Sequence, residues 1–432
     1  MTEVIAADWV VPVEGPPVED GAVAIDDGRI VAVGPRDELG DAERFEEAVI
    51  VPAFVNAHSH LEYAVYAGFG DGLPFGPWLA THMERKGRID WDEFLAIARV
   101  GAAECLRSGI GTVGDASFSG AAASAIAEFG LGAVVFLEVF GSDPDAAGER
   151  LDELRERVGD ALSSRVRLGV SPHAPYSVSV DVYRRAYALD LPVATHVAES
   201  ADELAFLLRG EGPISSVSEI EPPGTTPVRH LAAHGLLERR VVAAHCVKVD
   251  EEEIELLARQ DVGVAHCPRS NALLGCGIAP LAELCAAGVR VGLGTDSPAS
   301  TPSFDMFEEM RAAIYAARAR AERPDALRAE EALELATLRA AGVLGLDHEV
   351  GSLVPGKRAD LTVVSLSGSP YLPWDDPAAT VVFGGSPERV QLTLVAGEER
   401  YRKGGMAWHE LRRAAAEARG RLLDALPAVP KT

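Results

Sequence analysis

The sequence predicts an α/β protein: a (β/α)8 TIM barrel with a small β-sandwich domain formed by both chain ends. Three observations carry this reading. Between residues 50 and 345, short apolar runs alternate with amphipathic stretches, and there are eight such runs. The runs are apolar throughout rather than at every second residue, as strands of a parallel sheet covered on both faces must be. The two ends instead show strand–turn–strand alternation with no helices between.

Taken in order, residues 1–50 contain GAVAIDDGRIVAVG, two strands around an Asp-Asp-Gly turn. The apolar runs follow at 49–57, 111–116, 132–140, 166–172, 192–197, 241–247, 262–265 and 289–294. Helical stretches lie between them, among them 92–108, 145–162, 180–189, 250–259 and 280–287. The Pro/Gly-rich stretch 221–227 reads as a loop inside the barrel. Residues 350–404 return to β character in GSLVPGKRADLTVVSL and VQLTLVAGEER, and 408–426 reads as an Ala/Arg/Leu-rich helix. The expected division is therefore a composite β-sandwich of 1–50 and 350–404, a barrel over 51–349 and a C-terminal helix within 405–432. An open doubly wound sheet is the competing architecture, but no G-x-G-x-x-G follows the first strand.

Composition narrows the function classes. A chain of 432 residues that is 47% hydrophobic and 25% charged is globular and long enough to bury a large core. A net charge of −26 opposes binding to nucleic acid or anionic membrane, since phosphates are repelled, and says little about a small-molecule substrate in a pocket with its own field. No apolar run reaches membrane-spanning length, and the start shows no signal-peptide pattern. Five irregularly spaced cysteines without a C-x-x-C pair point to a reduced, cytoplasmic setting. A homo-oligomer is possible.

Barrel enzymes draw catalytic residues from the C-terminal ends of their strands. Here the first strand ends in His58-Ser59-His60, the fourth in Ser171-Pro172-His173 and the fifth in His196-Val197-Ala198-Glu199. The sixth ends in His245, the seventh in His266 and the eighth in Thr295-Asp296-Ser297. Six of eleven histidines thus fall on one rim. On an extended strand end, His58 and His60 point the same way and can grip one ion. Several imidazoles with one carboxylate suit a single divalent metal, zinc or iron(II), and such a site lowers the pKa of bound water. Glu199, three residues after His196, reads as a ligand, as a general acid/base beside that water, or as an ordinary helix N-terminal glutamate. Asp115 and Glu138, also at strand ends, read as partners of the histidines or as loop caps. His82, His230, His234, His348 and His409 fit no strand end and read as structural or surface residues.

VPAFVNAHSH, THVAES, AAHC, HCPRSNALLGCG and GLGTDSPAS, in this order, and the trailing GSLVPGKRADLTVV resemble the amidohydrolase superfamily over nearly the whole chain. The resemblance implies a barrel with a β-sandwich built from both ends. Binuclear members carry a carboxylated lysine on the fourth strand; only five lysines occur here and none sits there, so the chain is most similar to the mononuclear deaminases. The resemblance implies that His58, His60, His196 and Asp296 bind the metal, that Glu199 shuttles protons, that His245 orients the attacking water, and that Asp296 also deprotonates it. It implies substrate contacts for His173 and for Ser297 and Ser300 after the eighth strand.

The segments His60-Leu61-Glu62 and Pro74-Phe75-Gly76-Pro77-Trp78-Leu79 resemble the aminodeoxyfutalosine deaminases of menaquinone biosynthesis most. The alternatives are the S-adenosylhomocysteine, methylthioadenosine or adenosine deaminases, whose ribose-holding glutamate would correspond to Glu84, at a shorter spacing from Trp78. A hydrolase that opens or dechlorinates a heterocycle, and a non-catalytic binding protein on the same scaffold, are further readings. Glu62 reads either as a substrate ligand or as a capping carboxylate, and Trp78 and Phe75 as pocket walls or packing. Arg85, Arg88 and Arg269 are candidates to meet a substrate carboxylate.

Overall fold

The computed structural model describes residues 2–370 and 375–423. The last three residues of the helix expected over 408–426 lie outside the described residues; the helix observed is Trp408–Leu423.

Strands β1 (Glu3–Val10), β2 (Val18–Asp26), β3 (Arg29–Pro35) and β4 (Glu43–Pro52) precede the barrel. The barrel strands are β5 (Phe54–Ser59), β6 (Ile110–Ser117), β7 (Gly132–Val139), β8 (Val166–Pro172), β9 (Val193–Val197), β10 (Val241–His245), β11 (Gly263–His266) and β12 (Arg290–Leu293). Then come β13 (Leu361–Ser365), β14 (Val390–Val395) and β15 (Glu398–Arg402). The ends join into one mixed seven-stranded sheet in the order β15-β14-β13-β4-β1-β2-β3. Its centre is β4, parallel to β1 and antiparallel to β13, with Ile50 opposite Val363. The apolar run of β4 serves two cores at once. Val49 and Val51 pack with the barrel, whereas Ala48 and Ile50 pack into the small sheet's own core. Only Ala53 separates β4 from β5, so the sheet and the barrel share one continuous stretch of chain.

The eight barrel strands run parallel and pair in sequence order. Every residue of β5, β6 and β7 is buried, the physical reason these runs are apolar without alternation. Closure comes at the rim, where the Asp296 N–H donates to the His58 carbonyl at 2.9 Å. It requires small residues: a Cβ on Gly294 would lie 2.9 Å from both the Cβ and the N of His58. Early in the strands, the inward side chains of Val55, Val134, Phe136, Ala194 and Val242 form an apolar layer with the segment Leu338–Val343. His58, His60, His196, His245 and Asp296 lie beyond this layer, at the C-terminal ends of the strands. Among the described residues no helix is long and apolar enough to cross a membrane.

Candidate metal centre and active site

Four donors converge at the rim. His58 and His60 come from the end of β5, His196 from β9, and Asp296 from the turn after β12. The donor atoms of His58, His60 and Asp296 lie within 4.8 Å of one another, as do those of His58, His196 and His245. Asp296 Oδ1 is 3.5 Å from His60 Nε2 and 3.7 Å from His58 Nε2. The tautomers are set by the backbone. His60 Nδ1 donates to the Ala116 carbonyl at 3.0 Å and His196 Nδ1 to the His173 carbonyl at 2.9 Å. A carbonyl can only accept, so in both rings the proton is on Nδ1 and the Nε2 lone pair faces inward. His58 Nε2 is buried with no hydrogen-bond partner, an orphan that an ion would satisfy.

Electrostatics favour the same occupant. Burial, reinforced by neighbouring imidazoles, pushes His58 well below the usual histidine range and His196 down to about 3, so both rings are neutral ligands at neutral pH. Burial pushes Asp296 the other way, but His245, His60, His58 and the Ser300 hydroxyl together hold its carboxyl below the usual range, and it is anionic. Asp296 Oδ2 accepts from Ser270 Oγ at 2.7 Å and Ser300 Oγ at 2.6 Å, which leaves Oδ1 toward the histidines. Three imidazoles and one carboxylate fit a divalent transition-metal ion.

Beside this set, His245 Nε2 lies 3.6 Å from Glu199 Oε1. His245 Nδ1 is 2.9 Å from Asn271 Oδ1, which holds the ring. Glu203 fixes the turn carrying Glu199 by accepting the backbone N–H groups of Ala198 at 3.2 Å and Glu199 at 2.6 Å. Burial, then the nearby Asp296 charge, push the Glu199 carboxyl well above the usual range, so it carries a proton it can give away. Four rim residues without glycine's freedom adopt positive φ: Ala198 (53°), His245 (75°), Cys246 (47°) and Asp296 (56°). Such strain persists only where surrounding contacts over-determine it, and here it clusters at the strand ends that carry the candidate site.

The donors open onto a cleft at the C-terminal mouth of the barrel. His173, Trp78 and Ser297 line it as expected, with Trp78 Nε1 donating to the Ala299 carbonyl at 3.1 Å. Phe75 lines it too.

Other expected contacts are corrected. Ser300 turns its hydroxyl onto Asp296 rather than into the cleft. Glu62 is fully buried, and both its oxygens are used by the loop after β6. It accepts from Ser117 Oγ (2.6 Å), the Phe118, Ser119 and Ala122 N–H groups (2.9, 2.9 and 3.1 Å) and Ser119 Oγ (3.0 Å). It is a capping carboxylate. Glu84 is exposed and paired with Arg88 one helical turn away, so neither lines the cleft. Arg269 is buried against the Asp305 and Ser303 carbonyls, and the Arg85 guanidinium lies 4.2 Å from the centre of the Phe69 ring.

Asp115 supports the metal pair, its Oδ2 accepting from Ser59 Oγ at 3.0 Å and the Leu61 N–H at 2.8 Å. Glu138 lines the cleft itself. So does His82, which the sequence reading placed outside the site; its ring stacks on Trp78 with centroids 5.5 Å apart. Tyr63, Lys86, Phe140 and Tyr176 also line the cleft without having been singled out. A signal for part of this wall was present. In the helix Phe75–Lys86, residues Phe75, Trp78, Leu79, His82, Met83 and Lys86 recur at three- and four-residue spacing, one face of a helix, and Glu84 falls off it.

Comparison with known proteins agrees with this architecture. Residues 49–400 match the amidohydrolase family. The chain is 33% identical over 400 residues to a 5′-deoxyadenosine deaminase of Methanothermobacter thermautotrophicus, covering 90% of each protein. It is 34% identical over 405 residues to a 5-methylthioadenosine/S-adenosylhomocysteine deaminase of Moorella thermoacetica, covering 90% of this chain and 91% of that one. The crystal structure of an adenosine deaminase from Xanthomonas campestris with bound zinc superposes with a TM-score of 0.87 at 31% identity, covering 97% and 98% of the two chains. Fold, rim ligands and these matches agree: the chain belongs to the amidohydrolase family.

Proposed function

We propose that this chain is a metal-dependent deaminase of adenine nucleosides with a modified 5′ position. It replaces the C6 amino group by oxygen and releases ammonia. The observation that carries the proposal is the Glu199 carboxyl 3.6 Å from His245, beside the cluster of His58, His60, His196 and Asp296. The relatives support the substrate class, since their names specify 5′-deoxyadenosine, methylthioadenosine and S-adenosylhomocysteine. They favour these substrates over aminodeoxyfutalosine, which the segment around Trp78 suggested.

His58, His60, His196 and Asp296 would hold one divalent ion, with zinc favoured by the Xanthomonas relative and iron(II) the alternative. Bound there, the ion would supply Lewis acidity and bring the pKa of water toward neutrality. The chain's own residues do the rest. His245 orients the attacking water through Nε2, and Asp296 accepts a proton from it. Glu199 donates its proton to N1 of the purine, which makes C6 electrophilic; the carboxylate so formed takes the remaining proton of the added oxygen and passes it to the amino group, which leaves as ammonia, and the proton held by Asp296 returns to Glu199. His173 and Trp78 wall the base and sugar.

The test is ammonia release from 5′-deoxyadenosine, methylthioadenosine, S-adenosylhomocysteine, adenosine, aminodeoxyfutalosine and guanine side by side. A leading kcat/KM for a 5′-modified adenosine supports the proposal. Ammonia from none of them, with metal bound, overturns it. Glu199→Gln should keep full metal content and lose about 10²–10⁴-fold in kcat, the usual worth of a general acid/base.

A further inference from the structure

None of the cations expected to meet a substrate carboxylate, Arg85, Arg88 and Arg269, lines the cleft. One cation does line the cleft. Lys86 is the last residue of the helix Phe75–Lys86, on the same face as Trp78 and His82. Its Nζ lies 4.2 Å from the centre of the Phe118 ring and 4.1 Å from that of Phe140. Among the described residues it has no hydrogen-bond acceptor and no carboxylate oxygen within 4.0 Å. Two ring faces hold a cation in place but leave its N–H donors without acceptors. Burial pushes the Lys86 ammonium below its usual range, opposed by Glu138, which is 2% exposed, also lines the cleft and has its Oε1 buried without a partner. Lys86 and Glu138 thus line the cleft without bonding each other, each with unmet hydrogen-bonding capacity.

We infer that Lys86 anchors a carboxylate on the 5′ substituent of the nucleoside, so that the cleft is built for an adenine nucleoside with an anionic tail. The inference rests on the nucleoside reading above. Two sources supply that chemistry, an amino-acid carboxylate as in S-adenosylhomocysteine and an aryl carboxylate as in aminodeoxyfutalosine. 5′-Deoxyadenosine carries neither and is the reference.

The experiment measures binding of all three by calorimetry on metal-loaded Glu199→Gln protein, which spares the ligand, and KM on the active enzyme. Each is repeated with Lys86→Met, Lys86→Gln and Lys86→Arg. The expected result is that Met and Gln weaken a carboxylate-bearing nucleoside at least tenfold more than 5′-deoxyadenosine, while Arg restores the difference. The ligand with the larger loss identifies the source. Equal weakening of all three ligands, no change in any, or no preference for a carboxylate in the unaltered chain overturns the inference. Failure of the underlying function is separate: it appears as absence of ammonia release from every nucleoside by the unaltered, metal-loaded enzyme.

Discussion

At the residue scale, the site is governed by which atom of each side chain is left free. Asp296 has two oxygens, and two serine hydroxyls occupy one of them, so the other is presented to His58 and His60. Hydroxyls that orient a ligand carboxylate are typically worth 10- to 100-fold in metal affinity. Ser300→Ala and Ser270→Ala should therefore each weaken metal binding by about that factor, read by competition with a chelator, and the double variant should lose more than either. If Ser300 instead touched substrate, KM would rise with metal affinity unchanged. The pairing of His58 with His60 was legible in the sequence because H-x-H at a strand end fixes two side chains on one face. Ser300 was assigned to the right loop and the wrong partner, since spacing places a loop at the rim but does not set the rotation of a hydroxyl.

At the element scale, Glu62 shows how a carboxylate near the metal pair is claimed by a helix. The helix Ala121–Phe129 starts after Gly120, which offers no side-chain cap, and its first turn lacks an acidic residue. Glu62 reaches from the turn after β5 and fills that role, accepting from three backbone N–H groups and two hydroxyls. Glu62→Gln places an amide among donors and should cost about 1–3 kcal/mol of stability, seen as a lower denaturant midpoint, with metal content retained. A large rise in KM without loss of stability would return Glu62 to the substrate. The helix Phe75–Lys86 makes the converse point: its cleft-facing stripe can be read from spacing, but which side of a helix meets a cavity depends on what packs against the other side.

At the scale of the whole molecule, the junction between the terminal sheet and the barrel carries a buried charge. Asp360 sits just before β13, its carbonyl accepting from the Ala53 N–H at 3.0 Å and its Oδ1 from the Ala396 N–H at 2.6 Å. Its Oδ2 is buried without a partner, and burial pushes its carboxyl up to about 6. The folded chain therefore binds this proton more tightly than the unfolded one. The associated stability is fully present below about pH 3.8 and is lost as pH rises through about 6. Asp360→Asn should raise stability on the order of 1–3 kcal/mol at pH 8 and change little at pH 3.5, as denaturant melts at the two pH values would show. Metal removal acts on the same scale. An ion held by residues from β5, β9 and the turn after β12 binds only the closed barrel, so chelation should lower Tm, by the equivalent of about 4 kcal/mol relative to free metal at 1,000 times its Kd. An unchanged Tm would mean that the four donors do not act together.

The sequence by itself determined the barrel, the terminal sheet drawn from both ends, and the strand-end positions of the metal donors, Glu199 and His245. Each of these is written in local periodicity: apolar runs for buried strands, alternation for the terminal sheet, and polar residues where a strand leaves the core. The tertiary structure decided the rest. It turned Ser300 onto Asp296, spent Glu62 on a distant helix terminus, paired Glu84 with Arg88, and brought His82, Glu138 and Lys86 to the cleft. Some of these outcomes depend on contacts between residues far apart in the chain, as for Glu62, and others on a choice among near neighbours, as for Ser300 and Glu84; in each case groups compete for the same few hydrogen-bonding atoms. A sequence pattern fixes where a side chain starts; which partner it meets is settled only when the barrel closes around it.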